Sequence, residues 1–83
     1  MIKLLSCQWQ GDFVIFLEFS DGLSGYFDLN EYISTRHGSL LDPLYDESFA
    51  QRCFVDEGAL CWPHGLELSP ASLYKHCLVA EVA

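Results

Sequence analysis

The sequence predicts an α+β domain, a mostly antiparallel small sheet of about five strands with two or three short helices. Three observations carry that prediction. The first half alternates β-branched and aromatic runs with Gly- and Asp-containing turns. Helix-start signals then stand at Asp28, at Asp42-Pro43 and at Ser69-Pro70. The chain has 83 residues, so residues 1–83 are expected to form a single domain. A chain this short buries roughly 60% of its unfolded surface and can build one thin core.

Residues 2–9 suit a strand, and Gln10, Gly11 and Asp12 a turn. Residues 13–19 (Phe-Val-Ile-Phe-Leu-Glu-Phe) carry the strongest strand signal. Ser20-Asp21-Gly22 turns the chain, and a strand follows through about Phe27. With Gly22 supplying the left-handed position of a three-residue loop, Phe19 pairs with Leu23. Side-chain parity then puts Ile15, Leu17, Phe19, Leu23, Gly25, Phe27 and Leu29 on a core face. The opposite face carries Val14, Phe16, Glu18, Ser24, Tyr26 and Asp28, with Phe16 opposite Tyr26.

Asp28-Leu29-Asn30-Glu31 fits a capping box, which predicts a short helix over residues 29–34. Residues 34–39 form a loop. Asp42-Pro43 starts a second helical segment reaching residue 50, with Leu44 and Phe49 facing inward. Residues 52–56 and 59–62 are strands around a turn at Glu57-Gly58, and Trp62-Pro63-His64-Gly65 is another turn. Ser69-Pro70 opens a last helix over residues 70–77, with Leu73, Cys77 and Tyr74 as its packing candidates.

Twelve acids against four bases give a net charge of −8. Such a surface repels a phosphate backbone and welcomes a basic protein, so no direct nucleic-acid binding is expected. The hydrophobic fraction of 51% argues against disorder. No stretch approaches the ~18 apolar residues a membrane span needs, and no export signal stands out, so a cytoplasmic protein with reduced cysteines is expected.

One set of residues is distinctive as a pattern. Phe19-x-Asp21-Gly22 is followed by Asp28-Leu29, Leu44-x-Asp46-x-x-Phe49, Val55-Asp56 and Trp62-Pro63-x-Gly65-x-x-Leu68-x-Pro70-x-x-Leu73-Tyr74. On these residues the chain resembles domain-of-unknown-function family 2442, over nearly its whole length, the last motif being the specific part. The resemblance implies a small bacterial α+β domain with a mostly antiparallel sheet and a short C-terminal helix. Some relatives add a helix-turn-helix domain, which this chain is expected to lack. Others sit beside a second small protein, in an arrangement like a toxin–antitoxin pair. His64 stands where members usually carry Asn; both residues tolerate positive φ. The motif also has a structural explanation. Gly22 and Gly65 suit tight turns, Pro70 starts a helix, and Trp62, Leu73 and Tyr74 suit a thin core.

Catalytic and metal chemistry finds weaker support. Cys53, Cys61, His64, His76 and Cys77 include a Cys-x-x-His pair of the type zinc takes. A two-residue turn at Glu57-Gly58 opposes it, placing Cys53, Val55, Leu60 and Trp62 on one face and Phe54 with Cys61 on the other. A cysteine nucleophile needs a base and an orienter, and few cations are present to favour a thiolate. His37 and His76 read as solvated or cap-like. The carboxylate pairs Asp42/Asp46, Asp46/Glu47 and Asp56/Glu57 read as caps and solvated faces. No catalytic residue, metal or cofactor is therefore assigned. The expected function is a non-enzymatic protein-binding module, the acidic, antitoxin-like partner of a small basic protein. The alternatives are a small-molecule or metal-binding domain and a self-associating accessory protein. The candidate partner surface is Val14, Phe16 and Tyr26, which would also serve a homodimer.

Overall fold

The computed structural model describes residues 2–34, 36, 38, 39 and 41–75. The expectations for His37, His76 and Cys77 fall outside this set. The class is α+β, but the single sheet of about five strands is corrected to two three-stranded antiparallel sheets. β1 (Leu4–Gly11), β2 (Val14–Phe19) and β3 (Ser24–Asp28) form the first in that order. β4 (Phe54–Asp56), β5 (Ala59–Cys61) and β6 (Glu67–Leu68) form the second. Along the chain, α1 (Leu29–Ser34), a 3-10 turn (Asp42–Tyr45) and α2 (Glu47–Ala50) come between β3 and β4. Residues 70–75 are helical and are called α3.

The sheets do not merge because β1 and β4 run side by side without a ladder. Among the described residues, the backbone bond that joins them is Leu4 N–H to Gly58 C=O, at 2.9 Å. β6 escapes sequence reading because two residues carry no periodic signal. The preceding turn builds it. Trp62 N–H donates to Leu66 C=O at 3.0 Å, which brings Leu68 opposite Leu60.

The β2–β3 register is the one that loop length and parity predict, with Ile15 opposite Phe27, Phe16 opposite Tyr26 and Leu17 opposite Gly25. Gly22 takes φ +91° in that loop, and Phe19 N–H donates to Leu23 C=O. Leu23 is a correction: it is 45% exposed, because it lies in the loop beyond the paired residues. The first turn also moves. Gly11 pairs with Val14, so Asp12 and Phe13 turn the chain with φ of 50° and 62°. A register shift between Trp9 and Gly11 absorbs the difference. A second irregularity between Leu4 and Ser6 leaves Leu5 62% exposed. It places Cys7 opposite Leu17 and Trp9 opposite Ile15, on the core face.

The predicted helix over residues 43–50 is split. Asp46 is extended (φ −88°, ψ 113°), and its side chain accepts from Ser48 N–H at 3.1 Å, starting α2 afresh. The core lies under both sheets and includes Ile15, Leu17, Phe27, Ile33, Leu44, Leu60, Trp62 and Leu73.

Candidate functional site

The first sheet has an outward face opposite this core. Across it run Gln8, Phe16 and Tyr26 on neighbouring strands. The Phe16 and Tyr26 ring centroids lie 5.1 Å apart, with the rings tilted by 53°. Tyr26 is 51% exposed, while Phe16 and Val14 are half-buried. The polar end of the face is ordered: Ser6 Oγ donates to Glu18 Oε1 at 2.7 Å. The face thus offers an apolar strip edged by Glu18, Ser24 and Asp28, all exposed.

The motif residues are spread over turns, caps and core. Asp21 accepts from Leu23 N–H on Oδ1 at 3.1 Å and from Tyr74 Oη on Oδ2 at 2.8 Å. The Tyr74 ring meets Phe19 edge-on at 5.2 Å. Positions 53 residues apart therefore form one clasp, holding α3 to the β2–β3 loop. The Tyr74 hydroxyl and the Leu23 amide hold the Asp21 carboxyl below its usual range, and the bond to Asp21 raises Tyr74. Asp28 accepts from Glu31 N–H at 3.1 Å and caps α1. Trp62 is buried and its Nε1–H donates to Ala50 C=O at 2.8 Å. Pro63 is exposed in the following turn, where Gly65 takes φ +103°. His64 lies edge-on to Phe49 at 4.9 Å, and the turn places the positive φ on Gly65 instead. Pro70 opens α3, where Ser69 Oγ accepts from Ser72 N–H at 3.3 Å, and Leu73 is fully buried.

The cysteines separate as the Glu57-Gly58 turn requires. Phe54 pairs with Cys61, so Cys53 points to the other side of the hairpin. Cys61 Sγ lies 3.8 Å from Ala59 C=O and 4.0 Å from Glu67 Oε2. Burial, then the Glu67 and Asp56 carboxylates, push its thiol pKa up. The thiol of Cys53 faces Cys7 instead, a juxtaposition sequence reading missed. Strict alternation from Leu4 would turn Cys7 outward; the irregularity after Leu4 turns it inward. Among the described residues, no three His, Cys, Asp or Glu side chains gather as metal ligands. No helix among them is long and apolar enough to cross a membrane.

The two short antiparallel sheets with their brief helices define a compact α+β module whose distinctive residues serve its loops and packing. The family described as "Protein of unknown function (DUF2442)" matches residues 8–78, and the chain belongs to it. Neither the curated proteins nor the solved structures give a significant match.

Proposed function

We propose that this domain is a non-enzymatic protein-binding module, the acidic partner of a small basic protein in a bacterial, cytoplasmic two-protein system. The observation that carries the reading is the outward Phe16–Tyr26 pair on a chain of charge −8. The open face of a small antiparallel sheet ordinarily carries polar side chains. Here it carries two aromatics in tilted contact and Val14, and aromatic anchors are what protein interfaces use. Several carboxylates that acid–base chemistry would draw on serve turns and caps: Asp21, Asp28 and Asp46 accept backbone N–H groups.

Charge decides between partners. Two copies meeting through this face would bring together two chains of −8 each, whereas a basic partner turns repulsion into steering. Self-association through the same strip is the second reading. Affinity purification from the native host, with wild type and Phe16→Glu side by side, tests the proposal. A small basic protein should accompany the wild type, leave at raised salt, and be missing from a Phe16→Glu chain with an unchanged melt. Equal retention by Phe16→Glu, or no partner with the wild type, overturns the proposal. Sedimentation of the purified chain at micromolar concentration separates the readings: a monomer fits a foreign partner, a dimer abolished by Phe16→Glu fits self-association.

A further inference from the structure

Cys7 lies on β1 opposite Leu17, on the core face, and Cys53 stands immediately before β4 on the Val55 side of that hairpin. β1 borders β4, and Leu4 N–H donates to the carbonyl of Gly58 in the turn that follows β4. Both side chains are half-buried and pack against the same core cluster. The thiols face each other across the seam between the two sheets.

We propose that Cys7 and Cys53 are a reversible dithiol–disulfide site, oxidised by a low-molecular-weight disulfide and closing the seam between the sheets. The Cys7 and Cys53 side chains are in hydrogen-bond contact, and a disulfide needs their Cα atoms only to lie within about 4.4–6.8 Å. The roles of the two sulfurs differ. The Cys53 S–H points at Cys7 and favours the Cys7 thiolate, while that same interaction, then burial, pushes Cys53 up. Cys7 is thus the attacking thiolate. It displaces one thiolate from the small disulfide and forms a mixed disulfide. Cys53, giving up its proton as it attacks, bonds to the Cys7 sulfur and expels the second thiolate. The protein loses two electrons and two protons, and the small disulfide becomes two thiols. Cys61 stays outside the reaction, buried on the other side of β5 beside Glu67.

The test uses the full chain treated with oxidised glutathione, then alkylated and mapped after cleavage following Glu57, which separates Cys53 from Cys61. A crosslinked pair of peptides holding Cys7 and Cys53 is expected, with Cys61 recovered alkylated. The closed loop of about 46 residues should raise the melting midpoint by about 10 °C or more, reversed by a dithiol reductant. Cys7→Ser should abolish both crosslink and shift. Because that variant retains its fold in thiol-free comparison only if its unoxidised melt matches wild type, Cys53→Ala serves as the second control. Recovery of both Cys7 and Cys53 as alkylated thiols, or a crosslink to Cys61 instead, overturns the proposal.

Discussion

The indole of Trp62 is 1% exposed and donates to Ala50 C=O, so it joins β5 to α2 through packing and through a hydrogen bond. Trp62→Ala removes both and should cost about 3–5 kcal/mol, most of what a domain this small has. Trp62→Phe keeps most of the bulk but leaves the Ala50 carbonyl unpaired, a loss of about 1–3 kcal/mol. Chemical denaturation should rank wild type, Phe and Ala in that order; an Ala variant near wild type would make Trp62 a surface residue. At the Asp21–Tyr74 clasp the two pKa shifts set opposite limits. Asp21 is lowered, so its contribution is present above the ordinary aspartate range and is lost as pH falls through its folded value. Tyr74 is raised, so its contribution holds below the ordinary tyrosine pKa and is lost as pH rises through its folded value. The melting gap between wild type and Tyr74→Phe should be full from about pH 5 to about pH 9 and narrow beyond either end. A gap that does not move with pH would detach the clasp from stability. Asp21 and Tyr74 could each be read in the sequence as motif residues, but a bond across 53 positions has no local signature.

Hairpins were the most legible elements. In β2–β3 and β4–β5 the turn residues and the two-residue side-chain period agree, so one register satisfies both. β1 was legible as a strand but not in its facing, since two irregularities reset which side chains turn inward. The helix over residues 43–50 misled because Pro43 and the apolar spacing speak for one segment, whereas the Asp46 side chain competes with the backbone and restarts it. At the β4–β5 turn, Glu57 and Gly58 both take positive φ, at 51° and 80°, as a two-residue hairpin turn requires. Gly58 also seats the residue just before β1: a Cβ there would meet Lys3 Cβ at 3.0 Å, whereas one on Gly65 meets nothing within 4 Å. Gly65→Ala should therefore cost only its backbone strain, roughly 1–2 kcal/mol, and Gly58→Ala distinctly more. Equal losses in urea denaturation would mean that Lys3 does not press on the turn.

At the scale of the whole molecule, two small sheets share one core and leave one sheet face open. The apolar strip on that face was legible because β2 and β3 follow strict alternation, so Phe16 and Tyr26 fall opposite each other by count alone. The seam between the sheets was not legible, since strand adjacency across 46 residues depends on tertiary packing. Net charge of −8 adds a direction to the strip by favouring a basic visitor, and salt should weaken that association. The most direct measurement is photo-crosslinking in the native host, with a benzophenone side chain placed at Tyr26 or, for comparison, at Phe54. The two positions have similar exposure, 51% and 43%, but lie on different sheets. A discrete adduct with a small basic protein is expected from position 26 and none from position 54. Equal labelling from both positions, or no adduct from position 26, would contradict it.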